Sequence, residues 1–163
     1  MTRRTVTLTC AILMAGVVPL AAQERQQREM RERMSQMHSV EYLGENPGLP
    51  FSEAVRVGNM LYLSGQIGTQ PDGTLIGGGI QAETRQTMDN IQATLEKYGS
   101  SIDEVVKCTV FLADISEWPA MNEVYIGYFT KHKPARSAVA GSGLALDSRV
   151  EIECMATVGL SNG

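Results

Sequence analysis

Histidine, cysteine and positive charge are scarce in this chain, and each scarcity excludes a class of chemistry. The two histidines in 163 residues, His38 and His132, lie far apart and have no Asp or Cys partners in register. The ligand spacing of a zinc or similar metal site is therefore missing, and so is a histidine-based nucleophilic triad. Three cysteines do not make a disulfide framework. Cys10 lies in an apolar N-terminal run, while Cys108 and Cys154 lie in strand-like patterns. There a free cysteine serves as a small buried hydrophobe or, if the two strands are neighbours, as half of a disulfide. A formal net charge of −4 leaves no basic stripe, so counterion-release binding to DNA or RNA has no electrostatic footprint. Gly77-Gly78-Gly79 lacks the spacing and the Lys-Ser/Thr end of a phosphate loop, and Gly141-Ser142-Gly143 precedes no helix. Both are turns.

Long apolar runs are also missing. Val6 to Leu20 is the longest, and it falls short of the ~20 residues that a membrane-spanning helix needs. With Arg3-Arg4 before it and Leu20-Ala21-Ala22 before Gln23, it reads as a secretory leader. The expectation is a signal peptide over 1–22 and a periplasmic or secreted mature protein. A polar linker over 23–45 follows, in which Arg25, Arg28, Arg31 and Arg33 mingle with Glu24, Glu29 and Glu32. One domain over 46–163 completes the chain.

What remains is an ordinary globular composition, 43% hydrophobic and 20% charged. Within the domain, Phe51–Val57 and Met60–Gly65 flank a Gly58-Asn59 turn and read as a hairpin. Ile80, Thr84, Met88, Ile91, Leu95 and Tyr98 share one helical face, and Gly99 stands where a terminating glycine belongs. Val105–Leu112 alternates as a strand. A second helix runs through Trp118, Met121, Tyr125 and Tyr128, capped by Ser116, with its aromatics in the core. Strands at Ser137–Ala140 and Val150–Val158 close the order. Two amphipathic helices cover one face of such a sheet, and its other face, also largely apolar, calls for another subunit.

The candidate chemistry lies between Pro134 and Glu153, where Arg136 stands at the start of one extended segment and Glu151 in the next. A guanidinium can grip a small carboxylate while a glutamate handles a water. The same two residues could equally form a structural ion pair, with Glu153 as another partner for Arg136.

Several segments together resemble the reactive intermediate deaminase family, RidA, also called YjgF. They are Phe51-Ser-Glu-Ala-Val55, Gly58-Asn-Met-Leu-Tyr-Leu-Ser-Gly-Gln-Ile67, Thr84-Arg-Gln-Thr-Met-Asp-Asn90 and Val105-Val-Lys-Cys-Thr-Val-Phe-Leu112, then Met121-Asn-Glu-Val-Tyr125, Pro134-Ala-Arg-Ser137 and Val150-Glu-Ile-Glu153. The resemblance spans residue 50 to about 158. It implies an α+β fold, a chorismate-mutase-like mixed β-sheet with two helices on one face, and a homotrimer with clefts between subunits. The activity implied is hydrolysis of 2-imino acids of the 2-aminoacrylate type to 2-oxo acids and ammonia, with no metal and no organic cofactor. Carried over position by position, Arg136 binds the substrate carboxylate and Glu151 positions or activates water. Ser64 and Gly65 line the cleft, and Asn122 stands at its edge. Phe51 replaces a tyrosine found in many members, and Ala138 stands where some deaminases have a cysteine. Glu153 is left a structural or trimer-contact role. A non-catalytic sensor of small carboxylates is the alternative the same resemblance allows.

Overall fold

The computed structural model describes residues 19–37 and 39–159. The chain divides into two compact units, residues 1–35 and 36–163. In the first, helix α1 (Leu20–Met37) is polar nearly all round and exposed over residues 20–35. Its first turn is closed by Ala22 N–H and Gln23 N–H, which donate to the Pro19 carbonyl at 2.8 and 3.1 Å. The Ala22-Gln23 step, expected to be the end of a leader, lies within this helix. Residues 1–18 of the expected leader, and His38, lie outside the described residues.

The second unit is a six-stranded sheet, β1 (Val40–Leu43), β2 (Ala54–Val57), β3 (Met60–Leu63), β4 (Val105–Leu112), β5 (Ala135–Ala140) and β6 (Val150–Thr157), in the order β1-β2-β3-β6-β4-β5. Only β4 and β5 pair in parallel; every other neighbouring pair is antiparallel. Two helices, α2 (Ile80–Lys97) and α3 (Trp118–Tyr125), contribute to the core on one face. The α+β expectation of a mixed sheet with two helices on one face therefore holds. The sheet begins earlier than expected, because Val40–Leu43, inside the stretch read as linker, is an exposed edge strand zipped to β2.

Alternation decides what each strand residue touches. On β4, Cys108, Val110 and Leu112 are buried. On β6, Val150, Ile152, Cys154 and Ala156 are buried. With Leu61 and Leu63 they meet Met88, Ile91 and Leu95 of α2 and Met121 and Tyr125 of α3. Helix α2 ends as its sequence requires: Gly99 takes φ 78°, where a side chain would be strained. Its first turn is tied to the sheet by buried Glu83, whose carboxylate accepts the Arg149 N–H at 2.7 Å just before β6. The turn before α3 is capped by Asp114, which accepts the Ser116 N–H at 2.8 Å, and not by Ser116.

Cys108 and Cys154 stand directly opposite each other on β4 and β6 and are joined as a disulfide. Of the two roles the sequence leaves open for them, the structure takes the second. A cross-link between residues 46 apart removes about 4 kcal/mol of chain entropy from the unfolded state, before any offset from strain. Reduction is expected to lower the unfolding free energy by about 2–4 kcal/mol in denaturant titrations with and without dithiothreitol. An unchanged midpoint, or alkylation of Cys108 and Cys154 in unreduced protein unfolded with an alkylating agent, would contradict the bond.

Candidate active site

Arg136 is half-buried on β5, opposite Cys108 of β4, and so points to the helix-covered face. There its Nη1 donates to Oδ1 of Asn122 at 2.8 Å. The guanidinium carbon lies 4.7 Å from the centre of the Tyr125 ring and 5.5 Å from that of Trp118. Trp118, Asn122 and Tyr125 fall at i, i+4 and i+7 of α3, one stripe of the helix turned to one arginine. Two ring faces and an amide hold the fork in place, and among the described residues no acid pairs with it. Ala138, two residues along β5, shares this face and packs on the core. The cleft in front of Arg136, about 300 Å³, is lined by Asn122, Tyr125, Ile126, Phe129 and Lys133.

The Tyr125 hydroxyl is buried and has no hydrogen-bond partner among the described residues. Burial pushes its phenol up to about 12, with the Arg136 charge opposing the shift.

Glu151 is elsewhere. It lies opposite Phe111 on β6, between buried Val150 and Ile152, and so faces the side of the sheet without helices. Gly65 passes so close that a methyl group there would overlap the Glu151 carboxylate. That approach is fixed by Gln66 and Ile152, which exchange both backbone hydrogen bonds at 2.9 Å. Ser64 Oγ donates to the Ser52 carbonyl at 2.7 Å, and the Ser64 N–H donates to the Glu53 carbonyl at 3.0 Å. The Glu53 carboxylate in turn accepts Lys97 Nζ and the Tyr98 hydroxyl, both at 2.7 Å. The Lys97 hydrogen bond, followed by that of Tyr98, holds the Glu53 carboxyl below its ordinary value. Phe51, 53% exposed, and Ser64 line an open cleft of about 860 Å³ with Tyr42, Leu49 and Val55.

The expected residues thus form two groups. Arg136, Asn122 and Ala138 share the helix face at one edge of the sheet. Phe51, Ser64, Gly65 and Glu151 gather on the other side. Within one chain Arg136 does not meet Glu151 or Glu153, because strand β4 lies between their strands and the pleat sends their side chains to opposite faces. The structural ion pair is therefore ruled out within the chain. Sequence reasoning placed Trp118 and Tyr125 only in the core. Their spacing from Asn122 was the available sign that all three face the arginine.

Tyr125→Phe removes a buried, unpartnered hydroxyl and keeps the ring, so it is expected to leave stability unchanged or raise it by up to about 1 kcal/mol. In the wild type the phenol ionises near pH 10 when unfolded and only at about 12 when folded. Its contribution is complete below pH 10 and is lost as pH rises toward 12. Denaturant midpoints at pH 9 and pH 11 should fall less between the two conditions for Tyr125→Phe. An equal fall in both proteins would contradict this environment.

Known proteins place the chain. The sequence model of the family described as Endoribonuclease L-PSP matches residues 45–158. The human protein named 2-iminobutanoate/2-iminopropanoate deaminase is 42% identical over 111 residues, 68% of this chain and 81% of its own. A RutC family protein of Pyrococcus horikoshii is 45% identical over 108 residues, 66% of this chain and 86% of its own. The crystal structure of yeast YEO7 superposes with a TM-score of 0.70 at 39% identity, covering 74% of this chain and 99% of that one. These comparisons correct the periplasmic or secreted location inferred from the N-terminus: the similar proteins are those of archaea, yeast and mammals, and the family match begins at residue 45, past the apolar run on which that inference stood. The signal-peptide reading loses its support with it. With the fold and the matched segments in agreement, the chain belongs to the Endoribonuclease L-PSP family, the family also named RidA or YjgF.

Proposed function

We propose that this protein is a deaminase that hydrolyses 2-imino acids of the 2-aminoacrylate type to 2-oxo acids and ammonia, in clefts between the subunits of a homotrimer. The observation that carries the reading is the sidedness of the site. A carboxylate-gripping arginine and a water-handling glutamate occupy opposite faces of one sheet. They can form one site only when the Arg136 face of one subunit meets the Glu151 face of the next. The names of relatives such as the human 2-iminobutanoate/2-iminopropanoate deaminase support the same chemistry.

The reaction asks little of the protein. A protonated imine is already electrophilic at C2, so fixing its carboxylate and aiming a water supply most of the catalysis. The Arg136 fork, held by Asn122 and the two rings, takes the carboxylate through paired hydrogen bonds. Glu151 of the partner subunit accepts a proton as water oxygen bonds to C2, giving a tetrahedral carbinolamine. The same carboxyl returns a proton to the nitrogen and then, as the C–N bond breaks, the carboxylate takes the carbinol hydroxyl proton, leaving the 2-oxo acid and ammonia. Ser64, Gly65 and Phe51 wall the water side. No step uses a hydroxyl at residue 51 or a thiol at residue 138, so Phe51 and Ala138 are compatible with turnover. Neither a metal nor an organic cofactor enters the scheme. An RNA substrate has no support in a chain of net charge −4.

The test is the decay of 2-iminobutanoate generated in situ. Arg136→Ala should lower kcat/KM by about 10–100-fold through loss of a charged hydrogen-bonding pair. Glu151→Gln should cost about 10²–10⁴-fold through loss of the proton acceptor. Equal acceleration by all three proteins sinks the site assignment. No acceleration by the wild type, with 2-oxobutanoate still binding in calorimetry, identifies a sensor of small carboxylates instead.

A further inference from the structure

The Arg136 cleft contains a second cation and no acid. Lys133 lines it with Arg136, and none of the residues around it is Asp or Glu. Elsewhere in the unit Lys131 pairs with Asp103, and Arg149 pairs with Glu117. Lys133 has no ion pair or hydrogen bond among the described residues, and Arg136 bonds only to the neutral Asn122. In a chain whose overall charge is negative, a cleft lined by one sign of charge focuses a positive potential on whatever enters it.

The spacing defines the ligand further. Lys133 and Arg136 are three residues apart on a segment stiffened by Pro134, a separation of at most about 10 Å along an extended backbone. Ile126 and Phe129 supply apolar wall to the same cleft. A ligand with carboxylates at both ends and methylenes between would meet a cation at each end and apolar surface along its middle. We propose that the cleft selects dicarboxylic 2-imino acids, with Arg136 holding the carboxylate beside the imine carbon and Lys133 the distal one. The assignment rests on the deaminase reading and narrows its substrate class.

The measurement is calorimetry of the full-length protein with 2-oxoglutarate and 2-oxobutanoate, the oxo-acid forms of a dicarboxylic and a monocarboxylic substrate, at low salt. The wild type is expected to bind 2-oxoglutarate about tenfold more tightly, as one added charged contact implies. Lys133→Met should bring that ratio to about one, and Lys133→Arg should restore most of it. Equal or weaker binding of 2-oxoglutarate by the wild type overturns the proposal, as does a preference that survives in Lys133→Met. Because binding is read without turnover, failure of the deaminase reading appears separately, as unaccelerated decay of both 2-iminobutanoate and 2-iminoglutarate beside an intact 2-oxoglutarate preference.

Discussion

One strand separates the two residues on which the site depends. β4 lies between β5 and β6, so Arg136 is opposite Cys108 while Glu151 is opposite Phe111. Successive β4 residues point to alternate faces, and those two positions are an odd number of residues apart. The guanidinium and the carboxylate are therefore held on opposite sides of a hydrogen-bonded sheet. No rotamer change brings them together. In our account the chemistry is possible only because copies of the chain present complementary halves to each other. On that proposal, assembly of copies completes the active site as well as covering apolar surface.

The rest of the fold serves to keep each half rigid. On the helix side, Val110, Ile152, Met88, Ile91 and Leu95 are fully buried, and α3 rides on that core with Trp118, Asn122 and Tyr125 turned to Arg136. The Cys108–Cys154 bond lies in the same layer and fixes the register of β4 against β6, next to the strand that carries the arginine. On the other side, the Gln66–Ile152 bridge seats Gly65 against Glu151, and the Ser52–Ser64 hydrogen bond holds the loop bearing Phe51. That face also carries Tyr62, Lys107, Thr109, Glu153 and Met155 around a small cavity of about 90 Å³. It is a mixed polar and apolar surface, more polar than the largely apolar face expected from the strand pattern. Such a composition suits a subunit contact.

Legibility in the sequence followed burial. Helix α2 was readable because Thr84, Met88, Ile91 and Leu95 repeat at helical spacing and all four are buried. β4 and β6 were readable because alternate residues are buried. β1 was not, because Val40–Leu43 is exposed at the edge and its order comes from hydrogen bonding to β2, which leaves no apolar alternation. The polar α1 gave the same composition as a linker. The residues of the candidate site were recognisable as motifs, but their sidedness was not, since it depends on the parallel register of β4 with β5 and on which strand lies between. The clamp on Arg136 escaped notice because Tyr125 is both core and site: its ring fills the hydrophobic layer while its face meets the guanidinium. At the N-terminus a short apolar run with basic flanks resembled a leader, and the family match, which begins at residue 45, does not extend to it.

Subunit mixing tests the central claim most directly. Arg136→Ala and Glu151→Gln proteins, each strongly impaired alone, are dissociated, mixed in equal amounts and reassembled. If each site takes Arg136 from one subunit and Glu151 from the next, random reassembly pairs an intact arginine with an intact glutamate in about a quarter of the sites, and about a quarter of wild-type activity returns. If both residues served the same subunit's site, no mixture would contain an intact site. Activity that stays at the level of the separate mutants, in trimers shown to have exchanged, would contradict the account.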